Sequence, residues 1–138
     1  MIVLDTNVLS EFMRPQPDER VVAWLKQQTR SNLFTTAVTH GEMLYGVLIL
    51  PEGRRRKRMQ QEVEAIFATD MAGRVLPYDD AAANAHAVIA AACRAQGRSV
   101  GQADMMIAGI TRSRGATLAT RNVRDFEGCG VPLVDPWH

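Results

Sequence analysis

Three acidic residues lie far apart in the chain, each in a setting where a carboxylate could do chemistry. Asp5 directly follows the apolar run IVL, Glu42 ends the segment THGE, and Asp104 interrupts the otherwise apolar run ADMMIAG. Asp104 is the most informative of the three. An unpaired carboxylate in apolar surroundings is costly unless a helix cap or a cation compensates it.

If these carboxylates converge in space, they need a positive partner. Neighbouring acids repel one another, and without a counter-charge at least one of them would bind a proton. A hard divalent cation removes that conflict, and Mg²⁺ prefers oxygen ligands while keeping several waters. Asp5, Glu42 and Asp104 are therefore the predicted ligands of Mg²⁺ or Mn²⁺. Zinc is disfavoured because the three histidines show no ligand spacing. A metal-bound water could attack a phosphoester, although periodicity alone does not name the substrate.

Each acid also has a purely structural interpretation. Asp5 could bond the backbone of a polar turn that Thr6 and Asn7 continue, or cap a helix. Glu42 could close a capping box opened by Thr39, which stabilises a helix by ~1 kcal/mol or less. The structural and functional roles do not exclude each other, and both stay open on the sequence alone.

Five short apolar or β-branched runs predict the buried strands that position these acids: Ile2–Leu4, Leu33–Thr36, Val75–Leu76, Thr117–Ala119 and Val131–Val134. Helical signals fill the segments between them. The predicted helices run from Asp18 to Gln28, from Thr39 to before Pro51, from Glu52 to Thr69, from Asp79 or Asp80 to Gly97, and from Gln102 to Arg114. This alternation predicts a three-layer α/β/α sandwich around a small central parallel sheet. Ligands of such sheets bind at the carboxyl ends of the strands, where Asp5 is expected.

The composition is that of one globular domain spanning residues 1–138. The hydrophobic fraction is 46% and the formal net charge is +1, a total that leaves room for a local basic patch. Two cysteines without a pairing motif favour a reducing compartment. The early carboxylate at position 5 interrupts any signal-peptide core, and no apolar run is long enough to cross a bilayer. We therefore expect a cytoplasmic protein that does not bind membranes.

Four segments of the chain, in order, resemble the motifs of a known family. They are MIVLDTNVLSE, TTAVTHGEMLYGV, GQADMMIAGI and LATRNVRDF. Together they resemble the PIN-domain family, in particular the VapC-type toxins of the FitB-like subgroup, in which RPQP and PWH recur. The resemblance implies a PIN-like α/β sandwich and a magnesium-dependent endoribonuclease that hydrolyses RNA by a metal-activated water.

By the same resemblance, the acidic residues of the family fall on Asp5, Glu42 and Asp104. The hydroxyl-bearing position after the fourth strand matches Thr120. The fourth acid of the family, where present, matches Asn122, and Asp125 lies one helical turn further on. The sequence leaves open whether the site binds one or two ions.

The resemblance also implies partners. VapC-type toxins pair with a small antitoxin whose tail blocks the acidic pocket, and the toxin commonly forms homodimers. DNA is contacted by the pair through the antitoxin. The RNA substrate itself is not specified by any residue of this chain.

Two groups of basic residues are candidates for binding a phosphate backbone. The run Arg54–Arg58 carries five adjacent charges, which a helix would spread around its surface. A second group brackets the acidic positions, and from it Arg121, Arg124 and Arg112 are the predicted substrate-binding residues. If these contacts bind RNA, affinity should weaken with salt.

Two other functions fit the same residues. A PIN-fold binding module without nuclease activity would explain the asparagine at position 122. A phosphatase with an aspartyl nucleophile also places Asp after its first strand, but it usually needs a second Asp where this chain has Asn7.

Overall fold

A five-stranded parallel sheet forms the centre of the protein, whose computed structural model describes residues 1–138. Every neighbouring pair of strands is parallel, and their order across the sheet is β3-β2-β1-β4-β5. The strands are β1 (Ile2–Leu4), β2 (Leu33–Thr36), β3 (Val75–Leu76), β4 (Thr117–Ala119) and β5 (Leu133–Val134).

Seven α-helices connect and cover the strands. They are α1 (Thr6–Glu11), α2 (Glu19–Lys26), α3 (Ala37–Leu48), α4 (Arg54–Ala65), α5 (Asp80–Ala95), α6 (Gln102–Ser113) and α7 (Val123–Phe126). A 3₁₀ turn, Arg30–Asn32, precedes β2, and the π-helical turn Ile66–Asp70 ends α4. No helix is both long enough and apolar enough to cross a bilayer.

The hydrophobic core is split into two layers by the sheet. Successive strand residues point to opposite faces, so Val3 packs with α5 and α6 while Leu4 packs with α1 to α4. In the same way Leu118 belongs to the first cluster and Ala119 to the second. The predicted three-layer α/β/α architecture with a small parallel sheet is thus confirmed.

Most predicted elements have their expected positions, and the differences have local causes. Thr6 and Asn7, read as a polar turn, are the first residues of α1, because Asp5 caps that helix. The fifth strand is shorter than predicted and begins at Leu133. Helix α3 begins two residues before Thr39, with Thr36 as its cap, so the predicted capping box from Thr39 is wrong.

The close crossing of α5 and α6 depends on one glycine. A Cβ placed on Gly109 would lie 2.6 Å from the carbonyl oxygen of Ala82 and 3.0 Å from the Cβ of His86. Real Cβ atoms do not approach backbone oxygens so closely, so any side chain here must separate the two helices. These helices carry much of one core layer, and Asp104 lies on one of them.

We expect Gly109→Ala to lower the free energy of unfolding by about 1–3 kcal/mol, because overpacking displaces backbone as well as side chains. Gly41→Ala is the matched control, since its Cβ would meet nothing within 4 Å and alanine raises helix propensity by up to ~1 kcal/mol. Denaturant unfolding of both variants measures the difference. If Gly109→Ala proved as stable as Gly41→Ala, or more stable, the close crossing of the two helices would not depend on the glycine.

Candidate active site

The predicted acids lie at the point where the strand order of the sheet reverses. From β1 the chain continues to β2 on one side, whereas β4 lies on the other side. Loops after β1 and β4 therefore diverge and leave a crevice at the carboxyl edge, the usual binding position of open α/β sheets. Asp5 directly follows β1 and Thr120 directly follows β4. The Asp5 amide donates to the carbonyl of Ala119 at 3.0 Å, which joins the two strand ends.

Asp5 is held by hydrogen bonds on both of its carboxylate oxygens. Oδ1 accepts from the backbone amide of Thr6 at 2.6 Å, and Oδ2 accepts from the hydroxyl of Thr120 at 2.7 Å. The Thr120 hydroxyl in turn accepts from the amide of Asn122 at 3.0 Å. Only 4% of Asp5 is exposed. Asp5 thus serves both as a helix cap and as a fixed carboxylate of the crevice.

Glu42 reaches the same place from the second turn of α3. Its Oε1 accepts from the hydroxyl of Thr6 at 2.7 Å, instead of bonding back to the start of its own helix. The α3 cap is supplied by Thr36, whose hydroxyl accepts from the amide of Thr39 at 3.0 Å. Because the cap does not use Glu42, its carboxylate is free to face across the strand ends.

The electrostatics of the crevice disfavour the ionised acids. Burial raises the pKa of Asp104 to about 6, and the negative charges of Asp5, Asp125 and Glu42 add to this effect. Burial also raises the pKa of Asp5, although the hydrogen bonds from Thr120 and Thr6 oppose the rise. The negative charge of Glu42 raises the pKa of Asp5 further. The carboxylates are close enough to repel, and a cation would relieve that repulsion.

The three acids line one open pocket of about 330 Å³ without a single apolar residue. The pocket is lined by Asp5, Thr6, Asn7, Ser10, Glu42, Asp104 and Asn122. The predicted acids and Asn122 are therefore brought together, and Thr120 supports them from below through Asp5.

The donor set of this pocket suits a hard cation, but it is not a closed metal cage. No three acidic, histidine or cysteine side chains are arranged to hold an ion by themselves. The carboxylates of Asp5 and Glu42 point instead toward their hydroxyl and amide donors. Mg²⁺ commonly uses one or two carboxylates and completes its shell with water. An open pocket that offers only oxygen and amide groups suits this coordination of Mg²⁺. It suits zinc less well, because zinc usually takes histidine or cysteine ligands.

Three pocket residues were not predicted as site residues: Thr6, Asn7 and Ser10. They share one face of α1, since positions four apart on a helix are neighbours. Besides the bond from Thr6 to Glu42, Asn7 Oδ1 accepts from the backbone amide of Arg121 at 3.3 Å. The polar spacing after Asp5 would have predicted this face if α1 had been recognised as a helix.

The basic residues predicted to bind substrate lie in different places. The Arg121 guanidinium lies 5.1 Å from the ring centre of Trp137, beside the crevice. Arg124 is exposed on α7. Arg112 lies eight residues beyond Asp104 on α6, about 12 Å along the axis, and packs against Gly130 ahead of β5. The structure therefore does not bring Arg112 to the pocket.

Asp125 and its short helix are held by one arginine. The Arg98 guanidinium donates to the backbone carbonyls of Arg124 at 3.1 Å, of Asp125 at 3.4 Å and of Glu127. These are carbonyls that a helix end leaves without partners. Asp125 does not line the pocket, but its negative charge raises the pKa of Asp104.

Comparison with known proteins places this pocket in a wider context. Residues 2–128 match the PIN domain family. The chain is 38% identical to VapC ribonuclease Y4jK of Sinorhizobium fredii, covering 99% of this chain and 98% of that protein. It is 37% identical to Toxin FitB of Neisseria gonorrhoeae, covering 100% and 99%. It is 31% identical to the tRNA(fMet)-specific endonuclease VapC of Shigella flexneri, covering 98% and 96%.

Solved structures give the same result for the fold. A structure of FitAB bound to an IR36 DNA fragment superposes with a TM-score of 0.92 at 38% identity, covering 100% of this chain and 96% of that one. DNA-bound VapBC from Salmonella typhimurium superposes with a TM-score of 0.83 at 29% identity, covering 98% and 97%. Each similarity extends over the whole chain.

We expect Thr120→Val to raise the pKa of the Asp5 carboxyl further, because the nearly isosteric side chain removes a hydrogen bond that favours the ionised form. Thr120→Ser should restore the wild-type titration. The pKa is measured by carbon-13 NMR, by following the chemical shift of the labelled Asp5 carboxyl against pH. An unchanged titration in Thr120→Val would mean that the hydroxyl does not support this carboxylate.

Without metal, ionised Asp104 should cost stability. Its folded-state pKa of about 6 lies above its ordinary value of 3.8, so the folded state binds the proton more tightly. Stability should therefore fall as pH rises between these values. In a chelator at neutral pH, we expect Asp104→Asn to melt about 2–4 °C above wild type, a modest gain because the group is only half buried.

The same comparison at least about one pH unit below the ordinary pKa of 3.8 should show no gain, because Asp104 is then protonated in both states. Glu64→Gln, exposed on α4, controls for removing a negative charge elsewhere. A gain of equal size at both pH values, or in the control, would contradict the assigned cause.

Proposed function

Because this chain belongs to the PIN domain family, we propose that it is a magnesium-dependent endoribonuclease that acts as the toxin of a toxin–antitoxin pair. The observation that carries the proposal is the pocket that Asp5, Glu42 and Asp104 share at the carboxyl edge of the sheet. Relatives named as a VapC ribonuclease and a tRNA(fMet)-specific endonuclease VapC support the reaction. Residues 1–138 would form one nuclease domain, working in the cytoplasm where RNA is available.

The chain's own residues would prepare the pocket for a metal ion and a phosphate. Asp5 and Asp104 would hold the ion together with Glu42, whose position is set by Thr6. Thr120 keeps Asp5 oriented through its hydroxyl, and this hydrogen bond opposes the rise in the Asp5 pKa that burial causes. Mg²⁺ or Mn²⁺, when bound, would orient and activate the attacking water and neutralise charge on the phosphate.

Asn122 would contribute an uncharged polar group on the β4 side of the pocket. An amide there adds no further negative charge to a site where the acids already repel. The proposal therefore needs only one well-held ion. Arg121 and Arg124, in the segment after β4, are the residues we propose to contact the RNA backbone beside it. Arg112, at the other end of α6, is left out of this set.

The proposed partner is a small antitoxin that covers the acidic pocket. FitAB and VapBC structures are named as bound to DNA, and we propose that this chain reaches DNA only through such a partner. A homodimer is also proposed. Its support is a group of exposed apolar side chains at the end of α3, where Tyr45 is 60%, Leu48 43% and Ile49 67% exposed.

One alternative is supported by specific observations. A binding module that kept the fold without the chemistry would explain Asn122 and the lack of a ready-made three-residue metal site. The phosphatase interpretation has no such support. Position 7, where such an enzyme usually needs a second Asp, is Asn7, and its side-chain oxygen accepts from the backbone amide of Arg121.

We expect the purified chain, free of any partner, to cleave RNA with Mg²⁺ and to be inactive in a chelator. Asp5→Asn and Asp104→Asn should each lower the rate about 100-fold or more, because each removes a charged group that holds the ion. Gel assays on a labelled RNA hairpin measure the rate, and circular dichroism checks that the variants fold.

The control is Glu64→Gln, which should keep full activity. Asp104→Asn itself guards against a contaminating ribonuclease, which would cut equally in every preparation. If wild type and Asp104→Asn show the same residual cutting, the nuclease proposal fails and the binding module is favoured.

A further inference from the structure

A groove continues from the acidic pocket between α1 and the helices α3 and α4. It shares Thr6, Ser10 and Glu42 with the pocket, so the two depressions form one continuous surface. Its volume is about 440 Å³. A chain that crosses the pocket would leave it along this path.

The walls of this groove carry positive charge from two separate elements. Arg14 comes from the loop after α1, and Arg55 comes from the first turn of α4. The two residues also line the adjoining depression further from the pocket, where Arg58 joins them. The helix spreads the Arg54–Arg58 run as expected, and only part of it faces this path.

The two arginines differ in how they are held. Arg14 lies 3.3 Å from the carboxylate of Glu11, which is 4% exposed and also accepts from the amide of Asp18 at 3.0 Å. Glu11 thus fixes the loop that presents Arg14, whose side chain remains 62% exposed. Arg55 forms no salt bridge, whereas nearby Arg58 lies 3.9 Å from Glu62. Arg55 therefore offers an uncompensated charge.

Part of the lining of the groove is apolar and adaptable. Three methionines reach it from three elements: Met13 from the loop after α1, Met43 from α3 and Met59 from α4. Thioether side chains are flexible and polarisable, and they pack favourably against flat rings. A lining that combines cationic and apolar side chains suits a single strand, with its phosphates against the arginines and its bases against the methionines.

We propose that this basic groove binds the single-stranded RNA next to the cleaved bond, with Arg14 and Arg55 contacting its phosphates. The inference rests on the proposed nuclease function and adds a substrate path to it. Charge complementarity favours this occupant, since the neighbouring acids repel phosphates and a strand needs cations close by. The proposal adds Arg14 and Arg55 to the substrate-binding residues predicted near Asn122.

The test measures RNA binding separately from cleavage. Asp104→Asn serves as the background so that a fluorescent single-stranded RNA is bound in Mg²⁺ without being cut. The dissociation constant is measured by anisotropy over a range of salt concentrations. Losing one phosphate contact on a single strand should lower the salt slope by about 0.7, which corresponds to about fivefold weaker binding near 0.1 M salt.

Arg55→Ala should show this loss. Arg56→Ala is the matched control: it removes the same charge one residue away, but Arg56 lines a separate depression with Lys57 and Gln60. Arg14→Ala should show a similar loss and needs a melting curve beside it, because it leaves Glu11 without its cation.

Equal salt slopes for Arg55→Ala and Arg56→Ala would overturn the groove proposal. If wild type still cleaves RNA in that case, the nuclease function stands and the groove is left to a protein partner. If the Asp104→Asn background binds no RNA and wild type does not cleave it, the groove proposal and the nuclease proposal both fail.

Discussion

Repulsion among carboxylates at one edge of the sheet is the constraint on which this structure depends. Burial and mutual charge raise the pKa of Asp5 and of Asp104. Holding the ionised acids together therefore lowers the stability of the folded chain. The opposing contributions are hydroxyl and amide donors from Thr6 and Thr120. A protein gains nothing in stability from such a cluster. Under the proposed function, a bound cation would offset this cost.

Threonine hydroxyls form the frame that keeps the acids oriented. The oxygens of Thr36 and Thr39 lie 3.3 Å apart, those of Thr39 and Thr6 lie 3.2 Å apart, and Thr6 donates to Glu42 at 2.7 Å. Each hydroxyl has one proton, so the bond to Glu42 makes Thr6 an acceptor from Thr39. The chain of donors then points from the sheet toward the carboxylate. Every buried side-chain polar atom in the structure has a partner, so this polar network can be accommodated in the interior.

The sequence predicts the sheet well because its strands are short apolar runs. It also predicts the starts of two helices, because aspartates cap them. Asp18 and Asp79 cap α2 and α5 as expected. The sequence does not predict helix α1, because its six residues span fewer than two helical turns and are too few to show an amphipathic pattern. The sequence leaves the role of Glu42 open because Thr39 and Glu42 have the spacing of a capping box. Only the folded chain shows that Thr36 caps the helix. Arg112 was misplaced for another reason. Nearness to Asp104 in sequence becomes two helical turns of separation in space.

The acidic pocket and the basic groove are best understood as one electrostatic arrangement. In the proposed nuclease, a pocket of carboxylates on its own would repel the phosphate of the substrate, and a bound divalent ion would only partly offset three negative charges. Positive charge placed inside the pocket would instead neutralise the acids and weaken the hold on the ion. Cations in an adjoining groove would avoid both problems. They would attract the phosphates that flank the cleaved bond, and the acids would remain free to bind the metal. Arg14 and Arg55 have that position: they line the groove, which is continuous with the pocket through Glu42, whereas Asp5 and Asp104 line the pocket alone. The separation of charge along the groove therefore follows from what the acids require.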